Sequence, residues 1–189
     1  MNKREAILQA TLHLLAHKGF HGFSIKQVAD LAGVAAGTVY LYFNDREDLI
    51  LQLDAQIMEQ VAQHIFADHD PRRPLFDQFH QLCMSFWRFF KQNPEILLSK
   101  NQFDHLPPDV LRNRHADAKT IFYPLITFFE SGRADASLKN LPNEVLFSLA
   151  FEHFFALARN AMIGLIDIDD VMLEDIVLAS WDAITAVES

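Results

Sequence analysis

Residues 24–49, SIKQVADLAGVAAGTVYLYFNDREDL, constrain the fold more than any other part of the chain. A short amphipathic segment, an Ala-Gly-Val turn and a second short segment end in Thr-Val-Tyr-Leu-Tyr-Phe. A polar break then opens a new helix. Two short helices closing on a tight turn form the pattern of a helix-turn-helix, whose second helix lies in a DNA major groove. Ala29, Gly33 and Val34 supply the small groups such a turn needs, while Val39 and Phe43, four apart, face inward. Thr38, Tyr40 and Tyr42 then project elsewhere, where their hydroxyls can donate to phosphate oxygens or reach base edges. Gly37 lets backbone approach backbone.

The rest of the chain also reads as helix, because apolar residues recur at three- and four-residue spacing without strand alternation. A first helix over residues 3–18 buries Ile7, Leu8, Thr11, Leu14 and Leu15 and stops at Gly19. Ser24 caps a second helix with Ile25, Val28, Ala29 and Leu31 inward, and a third spans 35–42. Asn44 or Asp45 caps a long fourth helix reaching about residue 67. Asp70-Pro71-Arg72-Arg73-Pro74 is a break, followed by a helix over 75–92 and a short one restarted by Asn93-Pro94. Pro107-Pro108 opens a seventh, running to Gly132 with a kink at Pro124; an eighth spans 141–165 and a ninth ends near Val187. The expected fold class is all-α: a three-helix head, residues 1–47, and a larger helical body, residues 48–189, with about nine helices in all.

Charge is distributed unevenly. Through residue 48, Lys3, Arg4, Lys18, Lys26 and Arg46 are matched by Glu5, Asp30, Asp45, Glu47 and Asp48, so the whole net charge of −9 lies beyond the head. A neutral head predicts modest electrostatic attraction to phosphate. It relies instead on outward-pointing amides at the starts of the second and third helices, and on hydroxyls. A single cysteine excludes an internal disulfide framework and fits a reducing, cytoplasmic setting. No apolar run of signal-peptide type opens the sequence. The apolar runs elsewhere are broken well short of the ~18 residues a membrane span needs, so no membrane association is expected.

Gly33-Val34-Ala35-Ala36-Gly37-Thr38-Val39-Tyr40-Leu41-Tyr42-Phe43, followed by Arg46-Glu47-Asp48-Leu49, resembles the signature of the TetR family of transcriptional regulators. Gly19-Phe20-His21-Gly22-Phe23-Ser24-Ile25, Val28-Ala29 and Ala32-Gly33 resemble it as well. The resemblance is close over about residues 3–50 and beyond that consists of size and helix pattern. It implies a homodimer that binds a palindromic double-stranded DNA operator and leaves it when a small-molecule inducer enters the body, with no cofactor and no catalysis. It places Ser24 and Thr38 on phosphate, Tyr40 and Tyr42 on backbone or base, and Arg46 on phosphate where the family usually has Lys. The chain departs from the family at Ala35-Ala36, where Ser followed by Lys or Arg is common, and at Leu41, which replaces a frequent His. The recognition helix thus carries no basic side chain, which excludes a bidentate Arg or Lys contact to guanine from it. Lys3, Arg4, Lys26 and Gln27 complete the DNA-contacting set with Ala35, Ala36 and Gly37, and DNA shape supplies part of the reading.

The body is crowded with aromatic side chains. Phe86, Trp87, Phe90, Phe103, Phe122, Tyr123, Phe147, Phe151 and Phe155, with Glu152 as a polar group, are the candidate lining of a pocket for a lipophilic or aromatic ligand. Plain core packing is the competing reading for each ring. Ala150, Phe154, Ala158 and Ala161 on the eighth helix, with Ile176, Ala179, Ala183 and Val187 on the ninth, are the candidate dimer surface, closing as a four-helix bundle, with Trp181 adding contact area. His13 and His17 stand at a spacing that can hold a metal, but with no Cys or carboxylate at ligand spacing they read as a solvated face, and no metal is expected. Cys83 reads as a buried structural thiol. Two alternatives stay open: a helical small-molecule-binding or enzymatic protein whose head has lost DNA binding, and a redox sensor acting through Cys83.

Overall fold

The computed structural model describes residues 2–186, without the side chain of residue 115. Helices form throughout and no strand is present among the described residues; one isolated bridge joins Leu138 to Thr185. The helices are α1 (Lys3–Lys18), α2 (Ile25–Ala32), α3 (Ala36–Val39), α4 (Arg46–Ile65), α5 (Leu75–Gln92), α6 (Pro94–Ser99), α7 (Pro108–Ile121), α8 (Tyr123–Ala134), α9 (Asn143–Phe147), α10 (His153–Met162) and α11 (Asp170–Ile184). A 3₁₀ segment, Lys100–His105, follows α6, and a π turn, Ser148–Glu152, joins α9 to α10. No described helix is long and apolar enough to cross a membrane.

Two departures from the expected pattern have simple causes. The helix expected over 107–132 is broken rather than kinked: Phe122 leaves helical geometry at φ −98°, ψ 26°, and Pro124 stands at the start of α8. Proline lacks the N–H a continuing helix needs, but its fixed φ suits a first turn. The eighth expected helix contains the π turn, which the apolar pattern does not reveal.

The chain packs as two compact units, and these do not follow the division expected at 47/48. One comprises residues up to Gln60 together with Asn93–Ala118, the other Val61–Gln92 together with the residues from Lys119 onward. The head's core needs what lies beyond residue 47: Leu49, Ile50 and Leu53 of α4 are at most 2% exposed.

In the first unit, Asn2 caps α1 by accepting from the Glu5 amide at 2.8 Å. Ile7, Leu8, Leu14 and Leu15 are buried, and the hydroxyl of buried Thr11 donates to the Ile7 carbonyl. Ser24 and Gln27 form a reciprocal capping box at the start of α2. Gly33 ends α2 in the left-handed conformation, φ 68°, ψ 34°, which the turn between the helices requires. Of the residues expected inward on α2, Val28 and Ala29 are buried, Ile25 is half-buried and Leu31 is 53% exposed.

The second unit is built on phenylalanine. Phe79, Phe86 and Phe90 of α5 meet Phe151, in the π turn, and Phe155 of α10 at ring-centroid distances of 4.9–5.6 Å. Each buried ring contributes about 1.5–3 kcal/mol through removal from water, with edge-to-face contacts adding to it. Trp181 does not face outward but packs α11 onto Phe76 and Phe79 of α5. Gly132 lets the segment after α8 come close: a Cβ there would collide with the Leu138 side chain. That segment then pairs with the chain following α11 through Lys139 N–H to the Ile184 carbonyl and Ala186 N–H to the Ser137 carbonyl.

Candidate nucleic-acid interface

The helix-turn-helix presents one face built by subtraction. Val39 and Phe43 are 1% and 2% exposed, tied by the Phe43 amide donating to the Val39 carbonyl at 3.0 Å. With those anchors inside, Tyr40, Leu41 and Tyr42 are turned out at 57%, 81% and 41% exposure. Ala35, Ala36 and Gly37 are exposed and Thr38 is half-buried. Regular helix covers only Ala36–Val39 of the expected 35–42; residues beyond it continue as hydrogen-bonded turns. Ala35, at the N-cap of α3, makes no side-chain cap hydrogen bond. Leu41, absent from the expected contact set, is the most exposed large apolar residue on this face and can meet a thymine methyl.

The flanking groups are more committed than the sequence suggests. Ser24 and Gln27 spend their polar atoms partly on each other: Gln27 Oε1 accepts from the Ser24 amide at 2.9 Å and Ser24 Oγ from the Gln27 amide at 3.3 Å. Arg4, expected to contact DNA, is held within the protein. Its Nη2 donates to Gln52 Oε1 at 2.9 Å and its guanidinium lies 5.7 Å from the Phe43 ring centre. Arg46 is sandwiched by Phe20 and Phe23 at 4.8 and 4.6 Å, a double cation–π contact. Its Nε and Nη2 are buried with no hydrogen-bond partner among the described residues, and burial pulls its pKa below the usual arginine value. Those two donors cannot reach a phosphate unless the side chain leaves its aromatic pair. Lys3 and Lys26 are exposed, as a phosphate contact requires. At the start of α4 the cap is Asp45, whose Oδ1 accepts from the Asp48 amide, while Asp48 accepts from the Asn44 amide. Hydrogen bonds from Gln52 and that amide hold the Asp48 carboxyl below its ordinary pKa.

The residues expected to line a ligand pocket are brought together only in part. Phe86, Phe90, Phe147, Phe151 and Phe155 do cluster, but they fill one another's contacts as a packed layer, with Phe86 and Phe155 at 4.9 Å. Trp87 packs on Phe154, Phe122 on Phe66, and Glu152 is half-buried in the π turn. Tyr123 is 63% exposed, and Phe103 belongs to the other compact unit, beneath the Arg114 guanidinium at 5.5 Å. An open cleft of about 330 Å³ lies along α5 among Arg73, Asp77, His80, Gln81, Met84 and Arg88, and none of the expected ligand residues lines it.

The expected dimer surface is corrected in the same way. Ala150, Phe154 and Ala158 are at most 1% exposed within the subunit, so they pack internally. Ala161, Ile176 and Ala183 are half-buried, Ala179 is exposed, and Val187 lies outside the described residues. The exposed large apolar side chains in this stretch are Val145 on α9, Leu149 in the π turn, Ile163, Leu165 and Ile166 after α10, and Val171, Met172 and Leu178 on α11. The amphipathic pattern did not separate inward from outward stripes, because these helices carry small or apolar residues on more than one face.

Cys83 is fully buried on α5, and burial pushes its thiol far above the ordinary pKa, which leaves the thiolate needed for redox sensing unformed. The expected outcome is that native protein fails to react with a thiol reagent such as DTNB and yields one equivalent of thiol only after denaturation. A fast native reaction would restore the sensor reading.

Residues 7–53 match the family model of bacterial regulatory proteins of the tetR family, and residues 74–185 match the tetracyclin repressor-like C-terminal domain. An HTH-type transcriptional regulator of Haemophilus influenzae is 31% identical over 182 residues, covering 95% of this chain and 94% of its own. A TetR-family protein of Vibrio parahaemolyticus superposes with a TM-score of 0.85 at 32% identity, covering 98% of this chain and all of the other. The regulator FadR of Bacillus subtilis, solved in complex with stearoyl-CoA, shares the fold with a TM-score of 0.74 at 17% identity, over 93% of this chain and 98% of its own.

Proposed function

The chain belongs to the TetR family of bacterial transcriptional regulators, and from that premise we propose that it is a ligand-responsive repressor: a homodimer that binds a palindromic operator and releases it when a small lipophilic or aromatic inducer enters the helical body. As a regulator of this family it is a DNA-binding protein and not an enzyme. The observation that carries the proposal is the exposed Tyr40-Leu41-Tyr42 surface standing over the buried anchors Val39 and Phe43. Nothing in the head's own packing calls for two exposed tyrosines beside an exposed leucine, whereas a groove floor of phosphates, sugars and methyl groups does. The exposed apolar side chains Val171, Met172 and Leu178 of α11 support self-association through that helix. Stearoyl-CoA in B. subtilis FadR supports a lipophilic inducer. In this chain such a ligand enters by parting the packed phenylalanine layer, so binding and rearrangement of the body are one event.

Two measurements test this. Light scattering at micromolar concentration should give twice the 21.7 kDa chain mass. DNA selected from a random pool should converge on an inverted repeat, bound more weakly as salt rises and released by long-chain acyl-CoA. A monomer, or selection without symmetry, rejects the operator model; tight acyl-CoA binding without DNA release rejects the coupling.

A further inference from the structure

His13 and His17 lie one turn apart on α1, and the fold sets Glu95, in the first turn of α6, against both. Glu95 Oε1 is 2.7 Å from Nδ1 of His13 and 3.1 Å from Nε2 of His17, and the two imidazole centres are 4.5 Å apart. All three ligand atoms fall within 4.8 Å of one another. The side chains are held on firm supports. Ile7, Leu14 and Leu15 are buried and anchor α1, and Ile96 and Leu97, next to Glu95, are buried where α6 packs on it.

A first-row divalent metal binds imidazole nitrogen and carboxylate oxygen at ~2.0–2.2 Å, which sets neighbouring ligand atoms ~3.0 Å apart in an octahedron and ~3.4 Å apart in a tetrahedron. The two Glu95 contacts already approximate edges of such a polyhedron. We infer that His13, His17 and Glu95 form a site for a divalent transition metal, Zn²⁺ first among them. Two imidazoles with one carboxylate favour Zn²⁺, Ni²⁺, Co²⁺ or Cu²⁺ over the oxygen-seeking Mg²⁺ and Ca²⁺. The three side chains are 32–50% exposed, so an ion can enter, and the positions they do not fill are taken by water. The bound ion joins two helices that are 78 residues apart in sequence at the Glu95–His17 contact, and thereby ties the first helix of the DNA-binding head to α6. In the metal-free state the same carboxylate accepts from both rings, which keeps the ligands converged.

The test uses full-length protein without an affinity tag, stripped with EDTA. Calorimetric titration with Zn²⁺ should give one ion per chain, and Co²⁺ should add visible d–d absorption. His17→Ala and Glu95→Gln should each weaken binding at least tenfold, a loss typical of ligand removal, while His80→Ala, paired elsewhere with Glu174, leaves it unchanged. Zn²⁺ should raise the Tm of the wild type and of His80→Ala only. Helical circular dichroism of each variant confirms folding. Absence of saturable one-to-one binding, or equal affinity in the His17 and Glu95 variants, overturns the site.

Discussion

The Thr38→Ala, Tyr42→Phe double variant is expected to bind operator DNA about a hundredfold or more weakly than the wild type, with unchanged Tm. The estimate follows from two hydroxyls donating to charged phosphate oxygens, each contact contributing about 1.5–3 kcal/mol. Stability is spared because Tyr42 is 41% exposed and its ring contact with Phe43, at 6.4 Å between centres, survives in phenylalanine. The salt dependence separates this anchoring from ordinary charge neutralisation. Neither hydroxyl displaces a counterion, so the slope of log K against log salt stays that of the wild type. Lys26→Ala instead lowers the slope by about one. A double variant within twofold of wild-type affinity at matched salt would show that the hydroxyls of α3 and its following turn do not hold the DNA.

Replacing Arg114 by Met is expected to destabilise the first compact unit by about 3–5 kcal/mol, the usual result of orphaning one half of a buried ion pair. Asp54 of α4 is 2% exposed, and its carboxylate accepts from both Nε and Nη2 of Arg114 on α7, the latter at 3.0 Å. Burial raises the Asp54 pKa, opposed by those two donors. With the donors gone, burial and the nearby negative charge of Asp104 act unopposed and raise it further. A carboxyl whose folded-state pKa lies above its unfolded value binds protons more tightly when folded. Stability therefore falls as pH rises between the two values and is regained on acidification. The variant should recover part of its loss between pH 7 and pH 5, as followed by urea unfolding. Adding Asp54→Leu should recover most of it at pH 7, since no buried charge then remains. If the single variant unfolds at the wild-type midpoint, the pair does not hold α4 against α7.

How much of this was legible in the sequence depended on the range over which each feature is determined. The turn at Gly33, the cap at Ser24, the burial of Val28, Val39 and Phe43 and the exposure of Tyr40 and Tyr42 all follow from spacing within about ten residues. Helical periodicity and capping chemistry act at that distance. The sequence alone therefore determined the all-α class, the helix-turn-helix and its presented face.

Tertiary packing decided what each shared residue type was used for. Arginine spacing cannot tell a phosphate clamp from a cation held between Phe20 and Phe23, as Arg46 is. A phenylalanine stripe cannot tell a cavity wall from a filled layer, and α5 with α10 chose the filled layer. Alanines at 150 and 158 could equally have faced a second subunit, but inward packing had already taken them. Glu95 meets His13 and His17, and Arg114 meets Asp54, across separations of 60 residues or more. No local periodicity carries such pairings. They exist because the apolar faces of α1, α4, α6 and α7 must be buried together, and the polar residues beside those faces meet as a consequence.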